Sequence, residues 1–223
     1  MTGATVRPGN RGATRGSTRR LTLSALLRLA IALLILAAVV FTIADVVSRV
    51  PLNPFNFFGY FTNQSNILTA LVLGISAVAT FRGRWQGPWL VLARACVTTY
   101  MVIVGIVYAL LLAPLGAAGG VPLPWANVVL HIVVPIYVVL DWLVFADREP
   151  IPFRRLWLVV VYPLLWSGVV LVRGATDGWV PYPFLDPATG YGSVAAYSIA
   201  IAVFTVLFGL VVFALSRVRI LKP

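Results

Sequence analysis

The chain has 223 residues, of which 61% are hydrophobic and only 10% are charged. A soluble domain carries about a quarter charged residues and about half apolar ones. The composition therefore excludes an ordinary cytosolic enzyme, a disordered chain and a nucleic-acid-binding module. The net charge of +11 does not point to nucleic acid, because the basic residues cluster at the ends of apolar stretches. That pattern is typical of membrane topology.

Six apolar segments are long enough to cross a bilayer, which takes about 20 residues. Lipid offers no hydrogen bonds to an open backbone, so each segment should be a helix. The polar–apolar alternation of a β-barrel is missing. The sequence thus predicts an all-α polytopic membrane protein with spans near residues 24–47, 60–80, 90–112, 125–146, 156–174 and 192–215.

The segment before the first span is rich in Gly, Thr and Arg and has no acidic residue. We expect residues 1–22 to be a disordered basic cytoplasmic tail, 23–217 to be the six-helix transmembrane domain, and 218–223 to be a cytoplasmic C-terminal tail. The first apolar run is longer than that of a usual signal peptide, so we interpret it as an uncleaved anchor. The sequence shows no convincing internal repeat, which argues against a transporter built from inverted halves.

The basic residues predict the orientation of the spans. All but Arg49 and Arg173 fall on the side of the termini and of the loops after spans two and four. By the positive-inside rule both termini are cytoplasmic and three loops face outward.

Charged residues within a bilayer are costly and need partners. Arg94 and Asp141 lie about one turn from the inner ends of spans three and four, so we expect a structural ion pair. Asp45, near the outer end of span one, could pair with Arg49 or Arg173, or could have a functional role.

A run of five polar residues opens span two from the outer side. Five consecutive polar groups cannot all face lipid, so this turn must line a cavity or meet polar partners. The simpler interpretation is a capped helix start at the wet interface. The run consists of Thr62, Asn63, Gln64, Ser65 and Asn66.

The single histidine, His131, lies about two turns into span four from the same side. Asn127 precedes it by one turn and Pro135 follows by one turn. Because proline has no N–H, we expect a bend and an unpaired carbonyl at His131. A lone histidine in a bundle is more often a packing residue than a catalyst. At the depth of Thr62, however, it completes the minimum set for an activated nucleophile.

Other chemistry finds little support in the sequence. One His, one Cys and few acids cannot supply four converging ligands, so we predict no structural metal site, and no cofactor motif is present.

Several of these residues occur in an arrangement that resembles a known family. The stretches are Phe61-Thr62 at the start of span two, Asn127 and His131 with the following Pro135, and Tyr182 to Asp186 with Gly190 to Gly192 before span six. They resemble the androgen-induced-gene-like membrane hydrolases, and more closely the bacterial branch of predicted six-helix membrane proteins. The resemblance covers residues 25–215 and implies a plasma-membrane location. One departure is Val128, where the animal members have histidine.

The resemblance implies hydrolysis of fatty acid esters of hydroxy fatty acids or similar lipids. The nucleophile falls on Thr62 and the histidine on His131, which would have to come within about 3 Å of each other. Asn66, Asn127 or Gln64 could stabilise the oxyanion, and Asp45 could orient His131. Asp186 would anchor its own loop. The expected partners are membrane lipids and a lipid-like substrate, with no nucleic acid.

A second hypothesis stays open at this point. The chain could be a non-catalytic membrane protein that binds or transports a lipid or small molecule. A structural partner subunit is a third interpretation, in which the polar run would be buried at a helix contact. The sequence does not reveal the oligomeric state.

Overall fold

The computed structural model describes residues 11–145 and 147–218. Six of its helices are long and apolar enough to cross a membrane, and the described residues contain no β-strand. The predicted all-α architecture with six spans is therefore confirmed. The α-helices are α1 (Arg11–Val47), α2 (Pro54–Phe57), α3 (Phe61–Phe81), α4 (Pro88–Val107), α5 (Pro124–Val128), α6 (Val134–Val144), α7 (Leu158–Thr176) and α8 (Tyr191–Leu215).

Two of the spans are continued through tighter or wider turns. Helix α4 runs on as a π-helix over Tyr108–Leu112 and a 3₁₀ helix over Ala113–Gly119. Helices α5 and α6 form one span, because a π-helix over Val129–Val133 joins them. Further 3₁₀ turns are Phe153–Arg155, Pro183–Leu185 and Pro187–Thr189.

The first helix begins earlier than the sequence analysis expects. Helix α1 starts at Arg11, inside the segment 1–22 that was predicted to be a disordered tail. Extending an existing helix adds one hydrogen bond per residue without a new nucleus, and no proline interrupts the chain after Pro8. Residues 1–10, the first part of the predicted N-terminal tail, and 219–223, most of the predicted C-terminal tail, lie outside the described residues.

Helix α4 lies at the centre of the bundle and contacts α3, α6 and α8, while α1 packs along α3. The core between these helices includes the fully buried side chains of Ile35, Met101, Leu130 and Val134. Helix α7 is the least enclosed span, with 11% of its most apolar stretch buried. Space consequently remains between α7, α8 and the centre of the bundle.

One end of the bundle is fastened by buried charges. The carboxylate of Asp141 binds Arg28 and Arg94, both at 2.7 Å, so the expected Arg94–Asp141 pair is present. Asp147 binds the same two arginines and accepts from Gln86 at 2.8 Å. The ion pairs link α1, α4, α6 and the loop after α6. We call these four charged residues and Gln86 the charge cluster.

The sequence analysis counted Arg28 only as a residue that sets topology, and it gave Asp147 no role. The position of a charged residue along its span could have indicated the role of Arg28. In the spans predicted from the sequence, Arg28 lies about one turn inside span one, as Arg94 and Asp141 lie about one turn inside theirs. Charges at one level of a bilayer are expected to meet.

Candidate functional site

Thr62 lies in the first turn of α3, where backbone N–H groups have no partner within the helix. Its N–H donates instead to the phenol oxygen of Tyr182 at 3.3 Å. Its hydroxyl lies 3.4 Å from the same oxygen. Thr62 is 6% exposed and lines two cavities inside the bundle.

Two neighbours of Thr62 stabilise the turn between α2 and α3 by hydrogen bonds. The amide nitrogens of Asn63 and Gln64 donate to the carbonyls of Phe57 and Phe58, both at 2.7 Å. These bonds satisfy carbonyls at the end of α2 that would otherwise lack partners. The polar run therefore serves largely as a structural corner, and Thr62 is the member that reaches both cavities.

Asn66 has a different structural role. In the π-helix the N–H of Val134 donates to the carbonyl of Val129, five residues earlier. The same pattern would pair the carbonyl of Leu130 with residue 135, but proline has no N–H. The side chain of Asn66 replaces it and donates to that carbonyl at 3.2 Å. The expected freed carbonyl was that of His131, and the wider π turn accounts for the shift by one residue.

His131 is held in a defined orientation. Its Nδ1 lies 3.2 Å from the carbonyl oxygen of Asn127. A carbonyl only accepts, so Nδ1 carries the proton and Nε2 of the neutral ring holds the lone pair. Tyr108 stacks on the imidazole with a centroid distance of 4.3 Å.

Asn127 positions Tyr108 rather than facing a cavity. Its amide nitrogen donates to the Tyr108 hydroxyl at 2.7 Å, and its Oδ1 accepts from the N–H of Val121 at 3.2 Å. A Cβ atom at Gly120 would lie 2.5 Å from that oxygen, so a larger residue there would displace the Asn127 side chain. The loop before α5, the end of α4 and His131 are thereby fixed to one another.

Thr62 and His131 line one cavity, which we call the polar cavity. Its volume is about 390 Å³. No direct hydrogen bond joins the two side chains in the described part of the chain, since the Thr62 hydroxyl contacts Tyr182 and the imidazole contacts Asn127. Its remaining polar side chains are Thr42, Asn53, Asn56, Tyr60, Asn63 and Tyr182.

The second cavity, which we call the apolar cavity, lies between α4, α7 and α8 and has a volume of about 360 Å³. Thr62, Tyr182 and Leu112 line both cavities, so these three residues stand between the two. The other residues around the apolar cavity are mainly aliphatic and aromatic. Such a space suits a hydrocarbon chain rather than a polar ligand.

None of the four candidate supporting residues lines the polar cavity. The amide of Asn66 donates to the carbonyls of Thr62 and Leu130. Gln64 donates to Phe58 and accepts from the Tyr162 hydroxyl at 3.1 Å, on another side of α3. Asn127 binds Tyr108, and Asp45 pairs with Arg49 at 2.6 Å.

Tyr182 takes the position next to Thr62 for which the sequence analysis considered those amides. It belongs to the loop before α8, in the segment on which the family resemblance mainly depends. Burial raises the pKa of Tyr182 to about 12, although its contacts with Thr62 oppose the rise. The phenol is therefore protonated near neutral pH and can donate a hydrogen bond. The sequence analysis named Tyr182 only as part of the resemblance and gave it no role.

The loop that carries Tyr182 packs over the site. Trp179 lies against Gly59, where a Cβ atom would be 2.4 Å from the indole ring. The Arg173 guanidinium stacks on Trp179 at 4.1 Å and pairs with Asp177 at 2.8 Å. Asp186 accepts from the N–H of Ala188 at 2.8 Å, which places it as an anchor of its own loop.

In the described part of the chain, no three His, Cys, Asp or Glu residues converge. Comparison with protein-family models, with curated proteins and with solved structures finds no match to this chain.

Proposed function

We propose that the protein is an intramembrane hydrolase of lipid esters, with Thr62 as the nucleophile and His131 as the general base. One observation carries the proposal. Thr62 lines both the apolar and the polar cavity and so stands at their junction, and His131 lines the polar one. An ester joins an apolar acyl group to a more polar alcohol, so its reactive carbonyl belongs at such a junction.

The reaction proceeds in two acyl-transfer steps. Nε2 of His131 takes the hydroxyl proton as the Thr62 oxygen attacks the ester carbonyl, and the alcohol leaves with that proton. Water then attacks the acyl-threonine, gives its proton to His131, and the carboxylic acid leaves as the proton returns to Thr62. Since no hydrogen bond joins the side chains of Thr62 and His131, the proton passes through one water or after the site closes around substrate.

Tyr182 supplies the hydrogen bond that the developing oxyanion needs. Its oxygen accepts from the Thr62 N–H and shares a hydrogen bond with the Thr62 hydroxyl in which either group can donate. Once Thr62 attacks, the Tyr182 proton is available to a carbonyl oxygen bound beside Thr62. A preorganised donor in a buried site stabilises the transition state by about 3–4 kcal/mol.

The same proposal gives the site an orientation. We place both termini in the cytoplasm of a bacterial cell and the polar cavity on the outer side of its plasma membrane, following the basic residues. A membrane-impermeant thiol reagent on whole cells should label Gly178→Cys and not Gly83→Cys. The opposite labelling would reverse the orientation without changing the site.

A specific observation favours one other function. Because the Thr62 hydroxyl is hydrogen-bonded to Tyr182 and not to His131, the two cavities could hold a lipid without cleaving it. The protein would then be a non-catalytic lipid binder or transporter. The two functions make opposite predictions for turnover.

The test is hydrolysis of a fluorogenic long-chain acyl ester by purified protein in lipid nanodiscs. We expect Thr62→Ala to abolish turnover, Thr62→Ser to retain part of it, and His131→Gln to lower kcat by about 10²- to 10⁴-fold. Thr69→Ala is the matched control, because Thr69 is buried on the same helix with its hydroxyl bound to the Ser65 carbonyl. Turnover that is equal in all variants, or absent from folded wild type, would favour the lipid binder.

A further inference from the structure

The proposed function uses the apolar cavity only as an apolar neighbour of Thr62 and does not say which part of a ligand each cavity binds. We infer that the apolar cavity binds the acyl chain of the substrate, and that the polar cavity binds an alcohol half without charge. This inference rests on the proposed function for the chemistry at Thr62. The position of the chain, however, can be measured without any turnover.

One face each of two helices forms most of the cavity wall. Apart from Trp166, the lining residues of α7 recur every three or four positions, as do those of α8, so each set lies along a single helix face. On α7 these are Val160, Pro163, Leu164, Ser167, Gly168 and Leu171, and on α8 Ser198, Ile201, Ala202 and Thr205. Because several of these side chains are small, the two helices leave room for a chain between them and α4.

The cavity has the length of an acyl chain. Val160 and Leu171 lie eleven residues apart on α7, which is about 16 Å along the helix axis. Half of a hydrocarbon core about 30 Å thick is about 15 Å, the depth that one leaflet's chains fill. Phe61, the neighbour of Thr62, stacks on Tyr162, so Thr62 stands beside this stretch of α7. A long acyl chain with its carbonyl at Thr62 would extend from there toward Val160 and Thr205.

Charge restricts the ligand further. No Asp, Glu, Lys or Arg lines either cavity. A buried carboxylate or phosphate without a cationic partner would be strongly disfavoured. Esters of long-chain fatty acids with neutral hydroxylated alcohols, such as monoacylglycerols, fit both cavities.

The chain enters from the bilayer. Leu164 and Leu171 line the cavity, yet they are 60% and 42% exposed on the surface of α7. The cavity is thus open toward the side of the bundle that the lipids cover. A substrate dissolved in the membrane reaches Thr62 without passing through water.

Gly168, which lines the apolar cavity, offers a variant that adds a side chain to the cavity wall without a clash at Cβ. A Cβ atom at Gly168 would meet no other atom within 4 Å, and its neighbours at 164, 167 and 171 share its face. Gly168→Leu therefore places a side chain in the space of the acyl chain. Gly74→Leu is the matched control, because Gly74 is also helical with nothing within 4 Å and lines no described cavity.

The experiment is photo-crosslinking with a monoacylglycerol that carries a diazirine at the far end of its chain. The protein is Thr62→Ala in nanodiscs, which prevents turnover of the probe, and the crosslinked residues are mapped by mass spectrometry. We expect crosslinks at Val160, Ile103 or Thr205 that fall severalfold in Gly168→Leu and persist in Gly74→Leu.

Crosslinks spread over the lipid-facing side of α7 and α8, or unchanged by Gly168→Leu, would overturn the inference. The result is independent of the ester assay. If no ester is hydrolysed and the crosslinks map to the cavity, the proposed hydrolase fails while the acyl-chain site stands.

Discussion

Thr62 differs from other threonines of the bundle in what its hydroxyl contacts. Thr42, Thr69 and Thr205 each donate to the carbonyl four residues earlier, as threonine does inside a helix. For Thr62 the residue four earlier is Phe58, which precedes α3 and whose carbonyl accepts from Gln64. The first-turn position therefore leaves the hydroxyl of Thr62 free for Tyr182 and for a ligand.

Tyr182→Phe tests the oxyanion donor at the level of one atom. The ring packs against Trp166 and Phe184, so the variant keeps its packing and loses only the hydroxyl. We expect kcat of ester hydrolysis to fall about 10²- to 10³-fold, with little change in KM. Tyr197→Phe is the control, because Tyr197 packs on Phe184 and is 39% exposed. Equal kcat values for the two variants would exclude this role of Tyr182.

Among the elements, the π turn between α5 and α6 does most to position His131. It arises where Pro135 cannot donate to the Leu130 carbonyl, and Asn66 on α3 supplies the missing donor. The hydrogen bond from Asn66 to the Leu130 carbonyl thus links α3, which carries Thr62, to the span that carries His131. Such π turns often occur at functional sites.

A double-mutant cycle between residues 66 and 135 tests whether the Asn66 amide replaces the N–H that Pro135 lacks. Asn66→Ala should lower the free energy of unfolding by about 1–3 kcal/mol, because the Leu130 carbonyl loses its partner in a buried site. In a Pro135→Ala background the cost should be smaller, since the new N–H can take over. Reversible unfolding in mixed micelles gives both values. Equal costs in the two backgrounds would show that Asn66 does not replace the proline N–H.

At the scale of the whole molecule, the charge cluster holds α1, α4 and α6 together at the end of the bundle opposite Thr62. Burial alone would raise the pKa of Asp147, but the guanidiniums of Arg94 and Arg28 outweigh it and hold the pKa well below its usual range. The ion pairs of Asp147 thus stabilise the fold above about pH 4, near the pKa of an unfolded Asp, and that stabilisation is lost as the pH falls further.

Removal of one carboxylate from the charge cluster should be costly. Asp141→Asn leaves buried arginines short of a partner and should destabilise by about 3–5 kcal/mol. Asp45→Asn, whose partner Arg49 is 64% exposed, should cost at most about 1 kcal/mol. Thermal unfolding at pH 7 measures both, and a series from pH 6 to 3 should show a flatter dependence for Asp147→Asn than for wild type. If Asp141→Asn and Asp45→Asn lowered the free energy of unfolding by similar amounts, the charge cluster would not stabilise the fold as described.

The sequence predicts the six spans because a long uncharged apolar run in a bilayer has to form a helix. It predicts the Arg94–Asp141 pair because charged side chains at the same depth of a bilayer need each other as partners. It also singles out Thr62 and His131 by polarity. It does not predict the place of Tyr182, since that depends on how a loop 120 residues away folds back over α3. The roles of Asn66 and Asn127 likewise depend on two π turns, which local sequence patterns do not reveal.

The most direct test of the central claim is labelling of the purified protein with a fluorophosphonate, read by mass spectrometry. If His131 activates Thr62, the probe should modify Thr62, and the modification should vanish in Thr62→Ala and His131→Ala but persist in Thr69→Ala. A folded wild-type protein that is not labelled, or is labelled equally in His131→Ala, would contradict an activated threonine and leave a lipid-binding protein.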